Sequence, residues 1–187
     1  MAMPSRVRKG YRDLPPPERV RDMSSKSGYS GSPWLSAEQL RAWLAYVRVM
    51  HRLNYEMNRQ LQADSGLSLA DYDVLAALSD APRGRVPMTE LAAWIGWELS
   101  RLSHHTRRME TRGLASRETS PTDRRVTDVV LTQQGRDALT AAAPGHVELV
   151  KRLFFAPLNP ELLQSLRQAL ESVHDNITPE AGPSTSL

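Results

Sequence analysis

The chain has 187 residues, carries a net charge of +3 at pH 7 and contains no cysteine, while 40% of its residues are hydrophobic. This length fits one domain of ordinary size with tails, and the missing cysteines exclude a disulfide framework, a thiol redox switch and any zinc site with cysteine ligands. Since no stretch approaches about 18 consecutive apolar residues and the N-terminus lacks the apolar region of a secretory signal, we expect a cytoplasmic protein without a membrane span.

Both ends of the chain are predicted to be disordered tails. Residues 1–35 contain three consecutive prolines at 15–17 and the segment SSKSGYSGSP, with few apolar residues spaced for burial. This tail is also basic, which leaves open a non-specific contact with nucleic acid as well as a tail without a function of its own. Residues 178–187 form a second, polar tail.

Two helices are predicted after the N-terminal tail. The first begins after Ser36, because SAEQ has the pattern of a capping box with Gln39, and apolar residues at steps of three and four extend it to about Gln62. Its length exceeds what a lone helix of a small domain needs and indicates a partner. The second helix begins after Ser68, with Asp71 three residues on, and ends at SDAPRGR.

The segment from 86 to 115 has the pattern of a helix-turn-helix. VPMTELAAWIGW predicts a short helix with Thr89 as N-cap and Gly96 in the turn that follows. ELSRLSHHTRRMETRGLA predicts a second helix that ends at Gly113 and whose inward residues are Leu99, Leu102, Thr106 and Met109. Two short helices joined by a tight turn, the second rich in Arg and Ser on its outer face, are typical of DNA-binding proteins.

A β-hairpin is predicted directly behind this motif. LASRETS leads into a turn, and RVTDVVLT leads away from it and is rich in β-branched residues, which favours a strand. The turn between them contains PTD and two adjacent arginines. A hairpin in this position is a wing.

Two further helices are predicted after the wing. Thr132 is the N-cap of the first, which runs to about Phe155 and which Pro144 is expected to kink or break. Asn159 and Pro160 are the preferred N-cap and first residue of the last helix, whose apolar stripe extends to Ile177.

Three of these segments, taken in order, resemble the MarR family of transcriptional regulators: MTELAAWIG at 88–96, LSRLSHHTRRMETRGLA at 99–115 and DRRVTDVVLTQQG at 123–135. The last matches the family's Asp-x-Arg followed by Leu-Thr-x-x-Gly at close to the usual spacing. The resemblance covers about residues 37–177 and implies a mainly α fold with a small antiparallel β wing, in which 67–132 form a winged helix-turn-helix. Residues 36–66 and 133–177 would supply the dimerisation helices of a homodimer.

The second helix of such a motif inserts its N-terminal half into the major groove of double-stranded DNA. Arg101 can donate two hydrogen bonds to one guanine, and serines can bond bases or phosphates, whereas Arg107 and Arg108 are better placed for phosphates. His105 lies one position round the helix and can pack beside it instead. The residues predicted to face the DNA are Ser100, Arg101, Ser103, His104, Arg107 and Arg108.

The surroundings of this helix are locally basic. Residues 98–125 hold seven arginines against four acidic residues. Such an excess of positive charge suits the phosphate backbone of DNA. A solvated basic face without a partner has the same composition, and it remains the alternative.

The resemblance implies that Arg125, at the tip of the wing, enters the minor groove of DNA. An A·T-rich sequence narrows this groove and strengthens its negative potential. Arg124 is assigned to a phosphate. Since phosphate would repel Asp123, this carboxylate is expected to hold the arginine and the turn in place by charge-assisted hydrogen bonds, or simply to cap the turn.

The resemblance also implies a small-molecule effector, often aromatic or phenolic, bound between the dimerisation helices and the DNA-binding domain. An apolar pocket with a few polar groups would suit it, and the residues in the corresponding segments are Trp43, Tyr46, Met50, His51, Tyr72, Trp94 and His146. Aromatic residues at helical spacing are more often core, which is the alternative for each of them. The five histidines lack a ligand arrangement, so neither a metal nor another cofactor is expected.

These features predict a sequence-specific DNA-binding transcriptional regulator that acts as a homodimer on a pseudo-palindromic operator. A repressor released by its effector is the commoner outcome in the family. The alternative is a winged-helix architectural or protein-interaction module that does not distinguish DNA sequences. An enzyme is not expected, because the sequence has no Gly-rich phosphate loop, no G-x-S-x-G element and no Ser/His/Asp constellation.

Overall fold

A computed structural model describes residues 34–178. The two predicted tails therefore lie outside the described residues, except for positions 34, 35 and 178. The chain divides into a unit that ends at Val47 and a second unit that begins at Arg48. The described part of the first unit contains the start of the first helix, and every strand described belongs to the second.

The protein is mainly helical with one small sheet. Its elements, in chain order, are α1 (Ala37–Ser65), α2 (Leu69–Asp80), β1 (Arg85–Pro87), α3 (Met88–Trp94), α4 (Leu99–Thr111), β2 (Ala115–Thr119), β3 (Thr127–Leu131), α5 (Gln133–Val150), a turn of π-helix (Lys151–Phe155) and α6 (Pro160–Ile177).

The predicted caps of α1, α2 and α6 are confirmed. The backbone N–H of Gln39 donates to Ser36 Oγ over 3.1 Å, and Ser36 N–H donates to Gln39 Oε1 over 2.9 Å. Ser68 and Asp71 form the same reciprocal pair at the start of α2. At α6, Asn159 Oδ1 accepts from the third helical N–H over 2.8 Å. These side chains satisfy backbone donors that the first helical turn leaves free.

The sheet has three antiparallel strands in the order β1-β3-β2, so β3 is central. The hairpin of β2 and β3 was predicted, but β1 was not. Only three residues long and ending in Pro87, β1 has no strand pattern of its own and depends on pairing with β3, where Val86 faces Val129. It leads straight into α3, so the predicted N-cap Thr89 is wrong: Thr89 is the second helical residue.

The hydrophobic core of the second unit lies where α2, α3, α4 and the sheet meet, with one contribution each from α1 and α5. Its fully buried members include Leu61, Leu75, Leu91, Leu102 and Met109. These are the apolar positions of the helical stripes, and their burial fixes which face of α4 is left outside.

One predicted inward position of α4 is wrong. Leu99 is 46% exposed, while Leu102, Thr106 and Met109 are completely buried as expected. Leu99 is the first residue of the helix and lies at its end. His105 takes an inward place instead and is only 7% exposed.

Pro144 does not break α5. The helix continues from Gln133 to Val150 through the proline, and its irregular turn comes later, at Lys151–Phe155. A proline inside a helix removes one hydrogen bond to the residue four positions earlier. Both Pro144 and that residue, Thr140, are exposed, so water can bond the carbonyl left without its donor, which lowers the cost.

Candidate DNA-binding surface

The turn between α3 and α4 is tight and held by the backbone. Gly96 has a φ of +66°, a conformation that costs other residues energy and glycine almost none. The N–H of Trp97 then donates back to the carbonyl of Ala92 over 2.8 Å. This geometry fixes the direction in which α4 leaves α3.

The predicted DNA-facing residues lie on the outer side of α4. Ser103 is partly buried, and the exposed residues are Ser100, Arg101, His104, Arg107 and Arg108. The outer face of the helix thus carries the residue types that the sequence predicted. That these side chains contact DNA stays a prediction.

A buried carboxylate ties α4 to α2. Asp71 is 3% exposed, and its oxygens lie 3.0 Å from His105 Nε2 and 2.7 Å from Arg112 Nη1. Burial alone would raise the pKa of Asp71, but its contacts with His105, Arg112 and Ser68 outweigh burial and hold the pKa well below its usual range. The carboxylate is therefore charged and joins the N-terminus of α2 to the middle of α4 and to Arg112, the residue that follows α4. Sequence analysis identified Asp71 only as a cap.

The seven arginines of 98–125 do not share one role. Arg112 bonds Asp71 and donates to the carbonyl of Gly66 over 2.9 Å, so it serves the packing of the domain. Arg108 lies 3.1 Å from His105 Nδ1, and Arg101 lies over the ring of Trp97, with 4.0 Å between its Cζ and the ring centroid. In these contacts only Arg112 meets a carboxylate, so Arg101 and Arg108 still present positive charge on the exposed face of α4.

The tip of the wing is an ordered turn. Ser120 N–H donates to the carbonyl of Val126 over 2.9 Å, and Val126 N–H donates to that of Asp123 over 3.0 Å. The carboxylate of Asp123 accepts from the backbone N–H of Arg125 over 2.9 Å. Of the two roles expected for Asp123, turn capping is the one this bond supports. Asp123 thus holds the backbone of Arg125 and not its side chain. The side chains of Arg124 and Arg125 are both exposed.

Side-chain hydrogen bonds that the sequence pattern did not predict join the three strands at the base of the wing. Arg85 in β1 bonds Asp128 in β3 over 3.1 Å and also bonds Glu118 in β2. Hydrogen bonds from Arg85 and Ser116 lower the pKa of Glu118. One guanidinium thus links all three strands. No local pattern predicts this contact, because Arg85 and Asp128 are far apart in the chain.

The predicted effector-pocket residues fall into separate places. In the first unit, the rings of Trp43 and Tyr46 lie 5.6 Å apart and are about half exposed. In the second, the rings of Tyr72 and His146 are in contact, with their centroids 4.3 Å apart and their planes tilted by 38°, and burial lowers the pKa of His146. Trp94 is 53% exposed on α3.

The other two predicted pocket residues lie on α1, Met50 half-buried and His51 exposed. A groove of about 380 Å³ in the second unit is formed by none of the seven predicted residues. It is lined by Arg48, Val49, Arg52, Leu53, Glu56, Leu153 and Phe154. The effector pocket therefore stays a prediction.

Among residues 34–178 there is neither a metal-binding cluster nor a membrane-spanning helix. No group of three or more His, Cys, Asp or Glu side chains in this range is arranged to hold a metal ion. Within the same range, no helix combines the length and apolar character needed to cross a membrane.

The arrangement defines a class of protein. Two helices joined by a tight turn, the second with an exposed basic face, are followed by a hairpin with arginines at its tip, which is the winged helix-turn-helix of DNA-binding proteins. The model of the MarR family matches residues 65–126. A similar solved structure is that of Sco3205 from Streptomyces coelicolor, a MarR family regulator crystallised in complex with DNA. It is 36% identical to this chain with a TM-score of 0.76, and the match covers 81% of this chain and 95% of Sco3205. The chain belongs to the MarR family and is a DNA-binding transcriptional regulator.

Two other solved structures share this fold. AbsC, also a MarR family regulator from Streptomyces coelicolor, is 35% identical with a TM-score of 0.73 over 78% of this chain and 98% of its own. BpsR from Bordetella bronchiseptica is 25% identical with a TM-score of 0.64 over 77% of this chain and 99% of its own. The DNA binding of BpsR is regulated by 6-hydroxynicotinic acid.

Proposed function

We propose that this protein is a homodimeric repressor that binds a pseudo-palindromic operator sequence-specifically and is released by a small aromatic ligand. The observation that carries the proposal is the outer face of α4, where Ser100, Arg101 and His104 are exposed while the opposite face is buried in the core. Short polar and basic side chains at the start of a recognition helix are the groups that bond base edges.

Each exposed group has a proposed partner on DNA. Arg101 binds a guanine in the major groove, and Ser100, Ser103 and His104 bond neighbouring bases or phosphates. Arg107 and Arg108 bind phosphates, although the contact of Arg108 with His105 makes Arg107 the more available of the two.

The wing supplies the second set of proposed contacts. Arg125 enters the minor groove beside the major-groove site, and Arg124 binds a phosphate. Support comes from the capped turn, since the bond from Arg125 N–H to Asp123 fixes the backbone from which the exposed side chain projects. A fixed backbone reduces the conformational entropy that binding would otherwise cost.

Dimerisation is supported by α6. This 18-residue helix has no buried residue, although it carries a full apolar stripe. An isolated helix of this length is marginal in water, so a stripe left in solvent indicates a partner surface. A second copy of the chain is the proposed partner, and two copies would place two recognition helices on two half-sites.

The proposed effector is a small aromatic ligand. BpsR, whose DNA binding responds to 6-hydroxynicotinic acid, supports a small aromatic ligand for a chain of this fold. The rings of Tyr72 in α2 and His146 in α5 are in contact and are the proposed centre of the site, because they join a DNA-binding helix to a dimerisation helix.

A footprint followed by competition tests the proposal. We expect the purified protein to protect one pseudo-palindromic segment upstream of its own gene, with half-sites about one helical turn apart, and to lose affinity steeply with salt. Competition should need far more random DNA than operator DNA. If random DNA competes as well as the best fragment, the protein is an architectural or protein-interaction module instead.

A further inference from the structure

Trp97 and Arg101 form a contact that the turn between α3 and α4 makes possible. Trp97 precedes α4 by two residues, and Arg101 is its third residue. The guanidinium lies over the indole face with 4.0 Å between Arg101 Cζ and the ring centroid. This is well within the range at which a cation is attracted to an aromatic face.

The indole is itself held in place. Trp97 is half-buried and packs against the hydrophobic core, and its backbone N–H donates to the carbonyl of Ala92, which fixes the position of its Cα. Its ring meets the ring of His105 edge to face, at 5.3 Å between centroids and 89° between planes. Because His105 is buried against Asp71, the ring of Trp97 is a fixed platform and not a mobile surface side chain.

A face contact leaves the hydrogen-bonding capacity of Arg101 intact. The guanidinium donors lie in the plane of the group, and a cation–π contact uses its face. The contact therefore restricts where the long side chain can go without occupying the donors needed for a guanine. Restriction before binding lowers the entropy lost on binding and penalises any base that needs another position of the arginine.

We propose that Trp97 is a positioning residue for base discrimination, acting on DNA through Arg101. This rests on the proposed function, in which Arg101 binds a guanine of the operator. Trp97 is expected to influence selectivity at that base pair and to leave the other positions of the site unchanged.

The test is a double-mutant cycle on the full-length protein with synthetic operators. Dissociation constants are measured by fluorescence anisotropy for the operator and for operators changed at each single base pair. The base pair at which Arg101→Ala loses discrimination identifies the contact. We expect Trp97→Leu to reduce discrimination there by about 2- to 10-fold, Trp97→Phe to retain most of it, and Trp97→Leu to have no further effect on it in the Arg101→Ala background.

Arg107 provides the matched control, because it lies on the same helix with an exposed side chain and is proposed to bind phosphate. The effects of Trp97→Leu and Arg107→Ala should therefore add. If Trp97→Leu weakens binding to all operators equally, or adds fully to Arg101→Ala, Trp97 is only structural and the positioning role is overturned.

A second variant covers the case in which Trp97→Leu does not fold. Fluorinated tryptophan incorporated at position 97 alone keeps the shape of the ring and weakens its negative face. Discrimination should then fall as fluorine is added, and constant discrimination would overturn the proposal. If Arg101→Ala leaves discrimination unchanged at every base pair while the wild type discriminates, the assignment of Arg101 in the proposed function is what fails.

Discussion

Asp71 shows how one side chain serves two helices. It caps α2 through Ser68 and accepts from Arg112 at the far end of α4. We expect Asp71→Asn to lower the free energy of unfolding by about 1–3 kcal/mol, because the neutral amide loses the charge-assisted hydrogen bond that the carboxylate accepts from Arg112. Urea denaturation measures this. Asp80→Asn, at an exposed position of the same helix, is the control and should change stability little.

The same residue makes stability depend on pH. The folded-state pKa of Asp71 lies below its ordinary value of 3.8, so the folded protein binds fewer protons at this site than the unfolded chain. The contribution is fully present above the ordinary pKa and is lost as pH falls below it. The stability gap between the wild type and Asp71→Asn should therefore shrink on acidification from about pH 6 to about pH 3. If the difference in stability between the two proteins grew toward acid pH, the pKa of Asp71 would not be lowered in the folded state.

Arg125 carries a prediction about the sequence context of binding. With its backbone fixed by Asp123 and its side chain exposed, Arg125→Ala should weaken binding by about 1–2 kcal/mol, most strongly at operators with A·T-rich flanks where the minor groove is narrow. Anisotropy titrations against operators with A·T-rich and G·C-rich flanks measure the difference. Unchanged affinity at physiological salt would show that the wing tip does not enter the groove.

At the scale of elements, the start of α5 depends on a close approach that only glycine permits. A Cβ on Gly135 would lie 2.0 Å from the carbonyl oxygen of Leu114, a backbone atom that cannot move independently. Replacing a helical glycine by alanine ordinarily stabilises a helix, but we expect Gly135→Ala to destabilise the protein by more than about 2 kcal/mol.

Gly145 in the same helix is the matched control for this prediction. A Cβ there would meet mainly the end of the flexible Gln60 side chain, at 2.9 Å, so Gly145→Ala should be close to neutral. Thermal melts of the two variants measure the contrast. If both variants changed the melting temperature equally, the close contact with Leu114 would not be the reason that position 135 requires glycine.

The elements also show what a sequence can predict. Caps such as Ser36, Ser68 and Asn159 bond donors three residues away, so their signal is local and was found. In contrast, β1 exists because it pairs with β3, and Arg85 matters because Asp128 lies on that strand. His105 replaces Leu99 on the inward side because its partner Asp71 lies on another helix. The spacing of residues along the chain carries no information about such distant partners.

In the candidate site, too, the sequence predicted the features that depend on local pattern and missed the contacts that depend on the fold. The exposed positions of α4 followed from helical spacing, and the place of the arginines on the wing followed from the PTD turn between two strand patterns. The contact of Arg101 with Trp97 did not, because it depends on the geometry of the turn that brings residue 97 back over the helix. The family resemblance supplied roles for residues, while the partners that hold them required the structure.

At the scale of the whole molecule, α6 exposes an apolar stripe. Five of its apolar residues are between 42% and 67% exposed: Leu162, Leu163, Leu170, Val173 and Ile177. Together with the partly buried Leu166, they lie on one side of the helix, with steps of three and four from Leu163 to Ile177. In the part of α1 that belongs to the first unit, Leu40, Trp43 and Tyr46 are also exposed. A chain that acts as a dimer would cover such surfaces with a second copy.

We therefore expect the wild-type protein to be a dimer and the double variant Leu170→Glu with Val173→Glu to be a monomer. Both side chains are about half exposed or more in the single chain, so the substitutions should disturb the partner surface more than the fold of the protomer. Light scattering after gel filtration gives the mass, and the wild type alone should show a melting temperature that rises with protein concentration.

The control variant adds the same charge to the opposite side of α6. Gln164→Glu with Gln168→Glu introduces two carboxylates away from the apolar stripe and should leave the dimer intact. The monomeric variant should also bind the full operator at least about 100-fold more weakly than wild type, because it loses the effective concentration that links two half-sites, while its affinity for an isolated half-site should be unchanged. If the stripe variant remains a dimer, or if the control dissociates equally, α6 is not the surface on which two copies meet.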